Sequence, residues 1–154
     1  MLNVGDFRRR IIQPTLEHLG MYSQAAENLL IGTAVTESGL RSLTQTGGGP
    51  ARGLYQIEIA THTDVWANFL SYRDDLSAKV DELQAPMFAG ERALVGNLYY
   101  ATAIARIIYH RRPEPLPDED DIEGLGSYWK DHYNTANGKG SRHMFTLNYM
   151  EYCL

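Results

Sequence analysis

The stretch SQAAENLLIGTAVTESG, residues 23–39, decides how the rest of the chain is interpreted. Ser23 belongs to a residue type that caps helix N-termini, and the residues after it are apolar on nearly every side, so we predict a helix buried in the core. Gly39 is placed to end that helix in the left-handed conformation that glycine adopts without strain. Glu37 therefore lies in the last turn of a buried helix.

Glu37 carries an ionisable group at a position that disfavours its charge. Burial and the negative end of the helix dipole both raise the pKa of a carboxyl group. A carboxylic acid that stays protonated near neutral pH can donate a proton to the leaving oxygen of a glycosidic bond. Glu37 is therefore our candidate general acid, and the alternative is a glutamate exposed at a helix end.

The residues on either side of this helix are mostly helical in pattern. Residues 6–19 form an amphipathic pattern that we expect Pro14 to interrupt and Gly20 to end. Residues 97–110, NLYYATAIARIIYH, are apolar around most of the helix circumference, which predicts a second buried helix at the centre of the core. Weaker helical patterns cover residues 60–70, 73–83, 122–129 and 143–152.

Residues 40–57 form the only candidate β region. They are polar and rich in glycine, which indicates a small β-hairpin or an irregular lobe. Residues 110–121 contain three prolines and read as an exposed connection, and the segment from residue 133 to 141 is expected to break the helix before it. The predicted fold class is mainly α, with a small β-hairpin lobe and a buried central helix, in a single domain over residues 1–154.

Two later motifs carry polar side chains that could form a cleft. The strip GLYQIE, residues 53–58, combines a glycine that permits close approach of a ligand with Tyr55, the donor and acceptor of Gln56, and the second carboxylate of Glu58. We expect this strip to line a sugar cleft. Tyr133 and Asn134, which precede a turn rich in glycine, could close the opposite wall.

These three motifs occur in an order that resembles the soluble lytic transglycosylase and goose-type lysozyme superfamily. The motifs are ESGL at residues 37–40, GLYQIE at 53–58 and HYNTANGKG at 132–140, and the resemblance spans about residues 29–140. It implies a lysozyme-like α+β fold that cleaves the β-1,4 bond between N-acetylmuramic acid and N-acetylglucosamine in peptidoglycan. It also implies that neither a metal nor an organic cofactor is needed.

The resemblance also implies roles for individual residues. Glu37 would be the acid and base, Ser38 would support the site, and Gln56 would contact sugar near the cleavage point. Tyr133 and Asn134 would contact substrate or hold Glu37.

Glu58 decides between two reactions. Goose-type lysozymes carry an acidic residue at the corresponding place, where it helps to position water, so Glu58 favours hydrolysis. A lytic transglycosylase needs one acid only, because the substrate's own 6-hydroxyl attacks and forms a 1,6-anhydro product. Alternatively, Glu58 is a first-turn acid that the next helix dipole stabilises without a catalytic role. Tyr55, Ile59 and Thr135 stand where family members usually have methionine, proline and alanine, which leaves the subfamily open.

The composition excludes several other functions. The net charge of −5 argues against sequence-independent binding to nucleic acid, and we expect Arg8, Arg9 and Arg10 to lie on a solvated helix face. The five histidines lack the spacing of a metal site, and the one cysteine, Cys153, allows no intramolecular disulfide. The chain shows neither a secretory leader nor a segment that would insert into a membrane.

These features suggest a bacteriophage endolysin or a virion-borne protein that degrades the cell wall. It would be made in the host cytoplasm, and it would reach peptidoglycan strands through a holin or as part of the virion. The acidic net charge and the differences from the family motifs also leave a rival from another class. This rival is a protein of lysozyme fold that binds glycan or serves as a virion part without turnover. The sequence does not indicate an oligomeric state.

Overall fold

The structure is a computed structural model that describes residues 1–134 and 138–154, and this part of the chain is mainly helical. Its helices are α1 Val4–Phe7, α2 Gln13–Leu19, α3 Gln24–Ser38, α4 Ile59–Asn68, α5 Asp74–Asp81, α6 Glu91–Gly96, α7 Leu98–His110, α8 Ile122–Trp129 and α9 Arg142–Tyr152. Two π-helical turns, Arg8–Ile12 and Lys130–Asn134, and two 3-10 turns, Leu70–Tyr72 and Pro86–Phe88, complete the helical structure. The strands β1 Ala51–Arg52 and β2 Ile57–Glu58 pair antiparallel. The predicted mainly α class is confirmed.

The N-terminal helical segment differs from the prediction at Pro14. From α1 to α2 the chain stays helical, and a π turn lies immediately before the proline, where the Gln13 N–H donates to the Arg8 carbonyl. Proline has no N–H to donate, and its ring crowds the carbonyl of the preceding turn, a conflict that the wider π turn relieves. The expected interruption was therefore wrong, whereas the predicted end at Gly20, with φ of 70°, is confirmed.

The two predicted buried helices, α3 and α7, are confirmed and pack in the core. The Ser23 hydroxyl caps α3 by accepting from the Ala26 N–H at 3.0 Å, and Gly39 ends the helix with φ of 63°. Every residue of α3 from Ala26 to Val35 is buried, and so is every residue of α7 from Tyr100 to Tyr109. The Thr33 and Tyr109 hydroxyls lie 2.7 Å apart and join the two helices. Glu37 follows directly from the buried part of α3.

The predicted hairpin lobe is confirmed as a short two-stranded ladder. Ala51 pairs with Glu58 and Arg52 with Ile57, and an isolated bridge joins Arg52 to Thr44. Gly53 turns the chain with φ of 74°, and a β-carbon there would overlap the Leu94 carbonyl oxygen of α6. Glycine is thus required where the hairpin meets α6.

The C-terminal part of the chain packs back onto α3. The connection 111–121 is largely exposed, as predicted, and α9 lies against both α8 and α3. We expected the helix before residue 133 to break there, but the π turn Lys130–Asn134 continues α8 as far as Asn134. No helix in the described ranges is long and apolar enough to cross a bilayer.

Arg9 and Arg10 are exposed, as expected, but Arg8 does not lie on a solvated face, and for this residue the expectation was wrong. Its guanidinium donates to Glu27 at 3.0 Å and to Asn28 at 2.9 Å, and it also reaches the Tyr149 hydroxyl and the Cys153 carbonyl. The arginine thereby ties the first helical segment to α3 and to the end of α9. A buried carboxylate such as Glu27 needs a cation of this kind.

Candidate active site

Glu37 lies in the last turn of α3, with its carboxylate directed at α8. The indole N–H of Trp129 donates a hydrogen bond to Glu37 Oε1 at 3.1 Å. Trp129 is only 1% exposed, so this donor is held in place by the core. Glu37 keeps partial contact with solvent, which a proton donor needs in order to meet a substrate.

Burial dominates the electrostatics of Glu37. It raises the pKa of this carboxyl group from an ordinary value of 4.5 to about 7, while the Trp129 hydrogen bond acts in the opposite direction by favouring the carboxylate. The acid is therefore close to half protonated at neutral pH. A group in this state can both give a proton and take it back.

Three tyrosines form an aromatic cluster beside Glu37. The Tyr109 ring stacks on Tyr133 at 5.2 Å and lies 5.6 Å from Tyr128. Burial and the negative charge of Glu37 both raise the pKa of the Tyr109 and Tyr133 hydroxyls well above their usual value. Both phenols therefore stay neutral and add no charge beside the carboxyl group.

Hydrogen bonds join the three sequence motifs at this site. The Ser38 hydroxyl lies 2.6 Å from the Leu54 carbonyl, which links the first motif to the second. The Tyr133 hydroxyl donates to the Tyr55 carbonyl at 2.6 Å, which links the third motif to the second. The structure thus brings together three segments that are far apart in sequence, and Glu37 lies among them.

Tyr55 is not placed for the substrate contact that we predicted for its side chain. Its ring is 1% exposed and packs 6.2 Å from Phe7, and its hydroxyl accepts from Thr102 at 3.0 Å. The side chain is therefore part of the core. Its backbone carbonyl contributes to the site instead, as the acceptor for Tyr133.

Gln56 and Asn134 lie at partly exposed positions. Gln56 has a left-handed backbone, with φ of 48°, and its amide donates to the Gly53 carbonyl at 2.8 Å. A non-glycine residue in this conformation is uncommon, and such strain concentrates at functional sites. The Asn134 side chain accepts from Lys130 at 2.8 Å, which orients its amide within the π turn. Thr135 of the same motif lies outside the described residues.

Glu58 lies at the junction of β2 and α4 with an exposed side chain. It occupies the N-cap position of α4, yet its carboxylate makes no capping hydrogen bond. A carboxylate that is not engaged by its own helix is free to face a ligand. The N-cap position is also compatible with the alternative in which the dipole of α4 stabilises the carboxylate, so both interpretations of Glu58 stay open.

The sequence interpretation missed the contact between Trp129 and Glu37. These two residues are 92 positions apart. A helical pattern places Trp129 in the core but does not say which residue its N–H reaches. No local signal could have identified this donor.

No protein-family model, curated protein or solved structure matches the chain. Within the described ranges, no three histidine, cysteine, aspartate or glutamate side chains are grouped so as to hold a metal ion.

Proposed function

We propose that this protein cleaves the glycan strands of peptidoglycan at the β-1,4 bond after N-acetylmuramic acid, with Glu37 as the general acid. The observation that carries the proposal is a carboxyl group whose pKa is raised to about 7 by burial at the meeting point of the three motifs. Protonation of the leaving oxygen requires such a group. Trp129 acts as a positioning residue, since it fixes one carboxyl oxygen and leaves the other to face substrate.

Hydrolysis is the reaction that we favour. It needs a second carboxylate to activate water on the opposite face of the sugar. Glu58 is the candidate, because it lies on the lobe that Ser38 ties to the end of α3 and its side chain is exposed. In this scheme the bond from the sugar carbon to the leaving oxygen breaks as Glu37 gives that oxygen its proton, while Glu58 takes a proton from water and the remaining hydroxide bonds to the sugar carbon.

Lytic transglycosylation is the second candidate. One observation favours it, which is that burial and the Trp129 hydrogen bond set the pKa of Glu37 and no other described carboxylate contributes to it. A second carboxylate close to Glu37 would add to this pKa through its negative charge. A single acid and base is sufficient when the substrate's own 6-hydroxyl attacks and forms a 1,6-anhydro ring.

Clearing of purified peptidoglycan tests the assignment of Glu37. We expect wild type to clear the suspension and Glu37→Gln to lose clearing by a factor of about a hundred or more, the usual contribution of a general acid. Gln keeps an acceptor for Trp129 but carries no proton to donate. Equal clearing by both proteins would refute the assignment, and binding of wild type without clearing would favour the rival that only binds glycan.

Mass spectrometry of the released muropeptides separates the two reactions. Hydrolysis leaves reducing ends, whereas transglycosylation leaves anhydro products that are lighter by one water. The variant Glu58→Gln should lose activity if Glu58 activates water and keep it if the 6-hydroxyl attacks. Delivery to the wall by a holin or in a virion is part of the same proposal.

A further inference from the structure

Arg106 is a buried cation on the central helix α7. The residue is only 8% exposed, and its Nε is sealed from solvent without a hydrogen-bond partner. Its two Nη atoms are not among the sealed atoms and donate to no side chain or carbonyl of the described residues, so the remaining exposure of the residue leaves the end of the guanidinium in reach of solvent. Burial lowers the pKa of Arg106, as expected for a cation in a poorly solvated place.

The ion pairs among the described residues do not involve Arg106. Arginines 8, 9, 111 and 142 each contact a carboxylate. Arg111 offers the closest comparison, because its Nε is also buried and unpartnered, but its Nη1 binds the carboxylate of Asp64. Arg106 is the buried arginine for which the described part of the chain supplies no counter-charge.

The surroundings of Arg106 come from α7, α8 and the connection 111–121. Tyr109 and His110 lie one turn further along α7, and the ring of Tyr128 on α8 lies 5.6 Å from the Tyr109 ring. The Tyr128 hydroxyl donates to the Glu114 carbonyl, which joins α8 to the connection. The Glu114 carboxylate lies 3.8 Å from His132 Nε2 and forms no ion pair with Arg106.

A charge that is removed from water without a partner is costly, and proteins usually pair it or bind an ion there. We propose that Arg106 is the centre of a binding site for an oxyanion, a carboxylate or phosphate group that enters where α7, α8 and the connection 111–121 meet. The planar fork of arginine matches both groups and binds them by two parallel hydrogen bonds. This site does not depend on catalysis by Glu37.

NMR of the arginine side chains tests the site in the wild-type protein. The Nε–H resonance of Arg106, identified by its absence from Arg106→Lys, should shift saturably with acetate, with phosphate or with both. Chloride at matched ionic strength should leave it in place. The acetate and phosphate titrations show whether a carboxylate or a phosphate is the better ligand. An unchanged resonance at about 100 mM of either anion, or an equal shift with chloride, would overturn the proposal.

Thermal unfolding supplies the second measurement. The same anions should raise the unfolding midpoint of wild type, since a ligand that binds the folded state stabilises it. Arg106→Met should lose this rise because binding weakens by roughly tenfold or more with loss of the charged donor. Arg9→Gln removes an exposed arginine from the π turn that follows α1. This variant and Glu37→Gln should both keep the anion-dependent rise in the unfolding midpoint. An equal rise in Arg106→Met would contradict the assignment.

Discussion

Replacement of Glu37 by glutamine should make the folded protein more stable at neutral pH, although it removes the proposed acid. Glutamine has the shape of the protonated acid and keeps an oxygen for the Trp129 N–H, but it never ionises. Wild type has to ionise this group in a poorly solvated place as the pH rises. The variant therefore avoids a cost that wild type bears.

The size of this effect follows from the pKa of Glu37. The raised value means that the folded state binds a proton more tightly than the unfolded state. The stabilisation by this proton is fully present below about pH 4.5 and is lost as the pH rises to about 7. At about 1.4 kcal/mol per pH unit this amounts to roughly 3 kcal/mol, and partial solvent contact reduces it to roughly 2–3 kcal/mol.

Urea denaturation at pH 4, 6 and 8 measures the difference. The free energy of unfolding of Glu37→Gln, relative to wild type, should be near zero at pH 4 and should increase to roughly 2 kcal/mol or more at pH 8. Glu58→Gln is the matched control, because it removes one carboxylate at an exposed position, and the gain at Glu37 should exceed the gain there. A constant difference across the three pH values would refute the view that burial raises the pKa of Glu37.

Three further predictions concern single side chains. Trp129→Phe removes the N–H that favours the carboxylate, so the pKa of Glu37 should rise by about one unit above 7. Carbon NMR of the carboxyl group measures this pKa, and a fall would contradict the proposed role of the hydrogen bond. Gly53→Ala should cost roughly 3 kcal/mol or more, since it combines a left-handed backbone with overlap of a backbone carbonyl. Gly20→Ala has the same kind of backbone, with φ of 70°, but its β-carbon would make only an ordinary contact with Lys79 Nζ at 3.7 Å, so it should cost about 1 kcal/mol in the same denaturation assay. Arg8→Met should destabilise the fold by roughly 3–5 kcal/mol because it leaves a buried carboxylate without its cation, and a stable variant would show that the ion pair is dispensable.

The sequence predicted those features that depend on short-range patterns. The cap at Ser23, the apolar surface of α3 and the glycine at its end are local properties, and the structure confirms each of them. The same holds for α7 and for the hairpin between residues 51 and 58. These elements follow from periodicity and from residues with a strong backbone preference, which act within a few positions.

The differences from the prediction arise from contacts between distant parts of the chain. Arg8 looked solvated beside two other arginines, but Glu27 and the end of α9 draw its side chain into the structure. Tyr55 belongs to a polar motif, yet its ring is buried in the core, where it packs near Phe7 and its hydroxyl meets Thr102. Neither partner can be inferred from local sequence, because tertiary packing overrides a residue's average exposure.

The acid at Glu37 depends on the same kind of distant contact. Its helix places it, but the raised pKa requires burial beneath α8, which belongs to the other end of the chain and carries Trp129. If α8 opened locally, water would reach Glu37 and its pKa would fall toward 4.5, so the group would be ionised at neutral pH and would have no proton to give. The docking of α8 and α9 on α3 is therefore a condition for the proposed chemistry as well as for stability. A substitution that loosens this docking should lower activity at pH 7 more than at pH 4, where even an exposed carboxyl group is largely protonated.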